Sequence, residues 1–365
     1  MSNRVKFIFF AALLFSASIA AAGQVLKPGF DADEYTDVLL RCAGGVNFFL
    51  RGDIPKELNY KSVYSSPEMG MHNKYQIWLS NDKSVMAINL RGTTGDIDSW
   101  IENFYSAMIP ATGTLKLSSK YTFNYKFAND PKAMVHVGWA IGVASLLPDI
   151  LDKIQLFYRQ GTKQIIVEGH SQGGALAFLL SSYLHYQVAD GKLPSDLVIK
   201  TYCSAAPKPG NLYYAYDFDF INKGGWAFTV VNAADWVPEM PVTIQTKNDV
   251  NLNPFGMTRR KFKNQKFFVR LYLSHIYNQL DHSTRKAQRK YEKYLGRKIY
   301  KQVKKYVPEY EQPLYTGCSN YMRAGNPVVL EPDAEYYKLF PDTGANIFRN
   351  HLFKPYLYLV KKEYK

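Results

Sequence analysis

The pentapeptide Gly169-His170-Ser171-Gln172-Gly173 joins two segments of different periodicity. Before it, Gln164-Ile165-Ile166-Val167-Glu168 is a short apolar run of strand character. After it, Gly174-Ala175-Leu176 and the residues to about Val188 read as a helix. A strand, a sharp turn and a helix, with a serine at the turn, is the G-x-S-x-G arrangement. There the serine is forced into strained backbone at the top of a sheet. Gly169 and Gly173 stand two residues either side of it, where only a very small residue fits. Ser171 is therefore the candidate nucleophile, with Gly169, His170 and Gly173 completing the turn.

The remaining pattern extends this unit. Phe30 to Leu50 reads as a helix with acids Asp31, Asp33 and Glu34 near its start. Tyr75 to Leu79 and Ser84 to Leu90 read as strands. Asp98 to Ser106 reads as a short helix, and Pro110 to Pro131 as a polar, aromatic loop. Gly138 to Gln160 carries apolar residues at helical spacing, at Ile141, Ala144, Leu147, Ile150, Leu151 and Ile154. Val198 to Ser204, Ala227 to Asn232 and Asn326 to Leu330 read as strands, and Leu352 to Lys362 as a docked helix. Strands alternating with helices predict an α/β fold with a largely parallel sheet covered on both faces.

A serine hydroxyl is a poor nucleophile without a base and a carboxylate to orient that base. In a fold of this kind the chain order is serine, acid, histidine. Asp235 follows an apolar strand, where an open α/β sheet places its chemistry. His72 and His136 precede the serine, His170 adjoins it and points away, and His185 lies inside the following helix. His275, His282 and His351 remain. His351 opens the last helix after a core strand and is the favoured base, with His282 as the alternative. An oxyanion site needs two preorganised donors. The N–H of Gln172 is one. The loop Arg91-Gly92-Thr93-Thr94 after an earlier strand offers the other, through the N–H and hydroxyl of Thr93.

The N-terminus and the charge bound the setting. Arg4 and Lys6, the apolar stretch Phe7 to Ala22, and Ala20-Ala21-Ala22 before Gly23 read as a signal peptide over residues 1–22. That predicts a secreted or periplasmic protein, whose residues 23–365 form one domain. Three cysteines, Cys42, Cys203 and Cys318, are too few for a disulfide scaffold. Cys42 and Cys318 are the pair that an oxidising compartment could bridge.

Lys247 to Lys305 holds 17 Lys and Arg against three acids, a balance of +14 that equals the net charge of the whole chain. It reads as a basic insertion over about 245–315. Within it Ala287, Tyr291, Leu295, Ile299, Val303 and Tyr306 form one apolar stripe of a helix. The basic faces fit either a solvated helix packed on the domain or peripheral contact with an anionic membrane or lipid surface. Nucleic acid is not expected, because charge alone speaks for it and no motif does.

These pieces resemble the class 3 lipases, the fungal triacylglycerol lipase type. Asn89-Leu90-Arg91-Gly92-Thr93 and Asp98-Ser99-Trp100-Ile101 resemble that family's oxyanion strand and lid helix. Val135-His136-Val137-Gly138-Trp139 is similar to the segment before its long helix. Val167 to Ala175 is its elbow almost letter for letter. Ala206-Pro207-Lys208-Pro209-Gly210-Asn211 and Val231 to Pro238 are similar to its Pro-basic turn and aspartate motif. Tyr321 to Leu330, and His351-Leu352 with Tyr356, resemble its last strand and histidine motif.

The resemblance implies an α/β-hydrolase fold, with a mainly parallel central sheet flanked by helices. It implies a Ser171–Asp235–His351 triad, Thr93 and Gln172 as oxyanion donors, and Trp100, Ile101 and Phe104 as lid candidates. A lipid ester substrate is implied, with no cofactor and no metal. Phospholipase or acyltransferase chemistry on the same triad, or a silent lipid- or partner-binding relative, are the alternatives. The chain departs from the fungal members by its threonine at the oxyanion position, where they usually carry serine, and by the basic insertion.

Overall fold

The computed structural model describes residues 25–44, 59–251, 266–341, 344 and 346–364. The expected signal peptide lies outside the described residues. Seven strands form the central sheet. Their spatial order is β1 (Tyr60–Ser65), β2 (Tyr75–Ser80), β3 (Val85–Leu90), β8 (Gln164–His170), β9 (Val198–Ser204), β11 (Ala227–Asn232) and β13 (Asn326–Leu330). β1, β2 and β3 pair antiparallel, and from β3 onward every pairing is parallel. The sequence explains the difference. β3, β8 and β11 are buried at every position, as strands covered on both faces must be. β2 alternates, burying Tyr75, Ile77 and Leu79 fully and its other residues only in part.

Side-chain alternation divides the core into two layers. Met86, Ile88, Ile165 and Val167 pack with helices α3 (Val137–Arg159) and α4 (Gln172–Ala189). Val85, Ala87 and Ile166 pack on the opposite face with α1 (Ala32–Gly44) and α9 (Phe353–Tyr364). This is the period-two geometry of strands. Between β3 and β8 come α2 (Ile97–Phe104), β4 (Met108–Pro110), β5 (Thr112–Lys116), β6 (Thr122–Lys126) and β7 (Met134–His136). Strands β4 and β7 join β10 (Gly210–Asn211) and β12 (Tyr321–Met322) in a small second sheet. Helix α5 (Leu212–Ile221) follows β10.

Three sequence expectations change. The stretch from Pro110 to Pro131 is not a plain loop, because it contains the β5–β6 hairpin. Thr122-Phe123-Asn124-Tyr125-Lys126 alternates polar and aromatic, and the two rings are the buried positions. The first helix starts at Ala32, where Asp31 Oδ1 accepts from the N–H groups of Asp33 and Glu34 at 2.9 Å. It is described to Gly44, and residues 45–50 lie outside the described residues. Cys42 and Cys318 do not pair. The Cys42 thiol accepts from Asn89 Nδ2 at 3.0 Å, whereas that of Cys318 donates to Asp249 Oδ1 at 3.0 Å. Each belongs to a different cluster.

The chain leaves the sheet after β11 and returns at β13. Between them lie α6 (Phe267–Glu292), a π-helical turn (Lys293–Lys298) and α7 (Ile299–Tyr306). Apolar positions four apart drift by about 40° per step on an ideal α-helix. The wider π turn absorbs that drift. Tyr291 and Val303 are thus both buried, while Tyr306 at the end of the stripe is exposed. Helix α8 (Ala334–Leu339) precedes the final turn and α9. No described helix is long and apolar enough to cross a membrane.

Candidate active site

Ser171 stands between β8 and α4 with φ 61° and ψ −130°, a conformation that costs a non-glycine residue energy. The turn is held from all sides. The Ser171 N–H donates to Ser204 O at 2.9 Å. A Cβ on Gly169 would lie 2.2 Å from Gly173 C, and one on Gly173 would lie 2.1 Å from Leu90 O. Gly92 brings the Arg91–Thr94 loop close as well, since a Cβ there would meet His170 O at 2.9 Å. These contacts are the physical reason for glycine at each position.

Asp235 lies just beyond β11 and is buried. Its Oδ2 receives His351 Nδ1 at 2.7 Å and the Tyr356 hydroxyl at 2.8 Å, and its Oδ1 receives the Val237 N–H at 3.0 Å. His351 ends a short 3₁₀ turn before α9. Its Nε2 is buried without a hydrogen-bond partner among the described residues. That atom belongs to a residue lining a cavity of about 530 Å³, whose wall includes Ser171, Gln172 and Thr93. Of the histidines that follow the serine and its helix, His351 is the one that meets Asp235. His275 and His282 are exposed on α6.

Thr93 Oγ1 accepts from Asn103 Nδ2 at 2.9 Å, which leaves its own proton free to point elsewhere. Asn103 is fixed in turn by Trp139 Nε1, which donates to its Oδ1 at 2.9 Å. His136 Nε2 donates to the Asn103 carbonyl at 3.1 Å, and burial lowers that imidazole to about 3, so it is neutral. His170 does point away from the serine. Its Nε2 donates to the His351 carbonyl at 2.7 Å, and its Nδ1 accepts from Ser204 Oγ at 3.0 Å. Burial, aided by nearby His351, lowers it to about 3. It therefore ties the elbow to the backbone of His351.

Helix α2 carries its polarity inside out. Asp98, Ser99 and Glu102 are buried, while Ile97 and Phe104 are exposed. Trp100 and Phe104 line the cavity, and Ile101 packs against the core behind them. Ser99 Oγ donates to Gln172 Oε1 at 3.2 Å. Glu102 accepts from Gln172 Nε2 at 3.0 Å and Asn73 Nδ2 at 2.6 Å. Sequence reasoning missed Glu102 and Asn103, placed His170 in the elbow without a partner for its imidazole, and gave no role to the Tyr356 hydroxyl. The spacing of Ser99, Glu102 and Asn103, at i, i+3 and i+4, was the available signal for a polar face.

Burial pushes the Glu102 carboxyl up to about 8 against the lowering effect of its two amide donors, and Asp98 on the same helix raises it further. The folded protein therefore holds a proton that the unfolded chain releases near its ordinary value of 4.5. Folding binds the extra proton, so this group costs increasing stability as pH climbs through that window. Glu102→Gln keeps an uncharged donor and acceptor and removes the titration. Its NH₂ meets Asn73 Nδ2 or Gln172 Nε2, a penalty independent of pH. The variant's stability relative to the parent, read from melting, is therefore expected to rise by on the order of a few kcal/mol between about pH 5 and about pH 8. A gap independent of pH would refute it.

Residues 87–245 match the model of the family described as Lipase (class 3). The secreted mono- and diacylglycerol lipase LIP4 of Malassezia restricta is 25% identical over 207 residues, which are 56% of this chain and 63% of that lipase. The chain thus matches less than two thirds of that relative's length. Secreted mono- and diacylglycerol lipase 3 of Gibberella zeae is 29% identical over 137 residues, 36% of this chain and 41% of that lipase. Among solved structures, a triacylglycerol lipase from Penicillium expansum is 19% identical with a TM-score of 0.42, covering 58% of this chain and 75% of that one. Residues 87–245 are thus similar to class 3 lipases, and a mostly parallel sheet whose central strand turns through a serine into a helix has the arrangement of the α/β-hydrolase fold.

Proposed function

We propose that the protein is an exported serine hydrolase that cleaves carboxylic esters of lipids. The observation that carries the reading is the buried His351–Asp235 pair, whose free Nε2 belongs to the same cavity wall as Ser171. His351 Nε2 takes the proton of Ser171 Oγ as that oxygen bonds to the ester carbonyl carbon. The carbonyl oxygen becomes an oxyanion between the Gln172 N–H and the Thr93 donors. The tetrahedral species collapses, the carbon–alkoxide bond breaks, and the His351 imidazolium protonates the leaving alcohol. Water then gives a proton to Nε2 and attacks the acyl-serine. The acid departs and the proton returns to Ser171.

The cavity supports a fatty acyl chain. Leu90, Trp100, Phe104, Trp139, Trp236, Val242, Leu295 and Phe348 line it. The relatives named above are described as secreted mono- and diacylglycerol lipases, which agrees with an acylglycerol substrate and with export of a chain that opens on a signal-peptide pattern. Hydrolysis of p-nitrophenyl butyrate and palmitate tests the reading. Turnover with a preference for palmitate is expected, and a folded protein that turns over neither ester would overturn it.

Helix α2 carries the lid candidates Trp100, Ile101 and Phe104. Its polar face is tied to Gln172, Asn73 and Thr93, and its exposed residues are the apolar ones. We infer that it stays in place as an apolar rim. The rate against p-nitrophenyl butyrate is then expected to saturate smoothly through the solubility limit. A jump in rate when the ester forms a separate phase would show that α2 moves.

A further inference from the structure

Helix α6 changes chemistry halfway along one exposed face. Its packed side runs through Asp281, Gln288 and Tyr291. Away from this side, the N-terminal end shows Phe267 at 60% exposure and Phe268 at 79%, with Leu271 and Tyr272 similarly open. At about 100° per residue these four side chains share a broad outer face. The continuation of that face carries Arg285, Lys286, Arg289 and Lys290, all exposed. Asp281 is the only acid from Phe267 to Lys290, and it is engaged by Lys247 at 3.0 Å and Arg285 at 2.7 Å. The outer face therefore holds large apolar side chains first and, further along, the cations Lys286, Arg289 and Lys290, which no acid pairs among the described residues.

A protein surface does not leave this much aromatic and aliphatic area in water without a partner. A helical partner would call for a narrow stripe, and here the apolar face is broad. The order along the axis identifies the occupant. An apolar end about 9 Å long, then the polar side chains His275, Asn278, Gln279 and His282, then a cationic collar match the passage from acyl chains to anionic headgroups. The helix also reaches the cavity. Tyr291, whose hydroxyl lies 2.8 Å from Ser106 Oγ, and Leu295 line it.

We propose that α6 docks the protein on an anionic lipid bilayer. Phe267, Phe268, Leu271 and Tyr272 enter the headgroup–acyl boundary, and Lys286, Arg289 and Lys290 face the lipid phosphates and carboxylates. The purpose of this anchor, bringing the cavity to its esters, rests on the lipid-ester reading. The binding itself does not require Ser171 to react.

The full chain carrying Ser171→Ala is sedimented with vesicles of phosphatidylcholine alone, or with about 30% phosphatidylserine. Binding to the mixed vesicles, weakening as salt rises, is expected. Adding Phe268→Asp and Leu271→Asp should reduce it about ten-fold or more. The same pair in the Ser171 background should leave hydrolysis of soluble p-nitrophenyl butyrate unchanged. Reversing Lys286 and Lys290 to Glu should abolish the preference for phosphatidylserine. Equal binding of the parent and the Asp pair would overturn the proposal. So would a parent dimer that the Asp pair dissolves, because the face would then join two copies. Vesicle binding without any esterase activity would sink the catalytic reading and leave the anchor standing.

Discussion

Ser171→Ala is expected to lower kcat against p-nitrophenyl esters by about 10⁴- to 10⁶-fold. The change removes the atom that forms the acyl bond and leaves the Cβ, so the strained turn keeps its packing. The N–H of residue 171 still donates to Ser204 O, and the glycines at 169 and 173 still permit the close backbone approach. Stability should therefore move little while activity disappears. KM should change less than kcat, because on the lipid-ester reading the acyl chain meets the apolar cavity walls and not the hydroxyl. A fluorophosphonate probe should label the parent and not the variant. Comparable turnover by parent and variant would remove Ser171 from the chemistry altogether.

What the sequence made legible follows from how local each signal is. The elbow is a five-residue constraint between a buried strand and a helix, and β8 and α4 occur where the pattern puts them. Strands β9, β11 and β13 were equally clear, because each is a compact β-branched or apolar run with polar or glycine-rich flanks. The β5–β6 hairpin was hidden by its exposed Thr and Lys residues, although Phe123 and Tyr125 at spacing two were the cue. The supporting groups were harder to see because their partners lie far away in sequence. Glu102 meets Gln172 across 70 residues, and Tyr356 meets Asp235 across 121. Asn103 is locally an ordinary helix residue, and only the fold brings Thr93 and Trp139 to its two ends. Helix α6 was read through its charge. Its apolar first turns escaped notice because Phe267, Phe268, Leu271 and Tyr272 look like core residues until their exposure shows otherwise.

Asp235→Asn separates orientation from mere presence in the site, and its effect should rival that of losing the nucleophile's base. The carboxylate offers acceptors only, so it fixes the His351 proton on Nδ1 and leaves Nε2 as a lone pair for the Ser171 proton. It also accepts from Tyr356 and the Val237 N–H, so its orientation is set before substrate arrives. An amide there must turn either its oxygen or its NH₂ towards His351. With the NH₂ towards Nδ1, the imidazole carries its proton on Nε2 and cannot act as base. With the oxygen kept towards Nδ1, the NH₂ faces the Val237 N–H, donor against donor. Either arrangement is penalised, and kcat is expected to fall by about 10³- to 10⁴-fold. Tyr356→Phe supplies the contrast. It removes one donor from a buried carboxylate and costs about 1–3 kcal/mol of stability. The Nδ1 contact survives, so kcat should fall about ten-fold or less. Melting curves beside kcat and KM for both variants decide the matter. If Tyr356→Phe abolished turnover as fully as Asp235→Asn, the hydroxyl would be essential to placing His351. If Asp235→Asn retained parental kcat, His351 would not depend on the carboxylate for its tautomer.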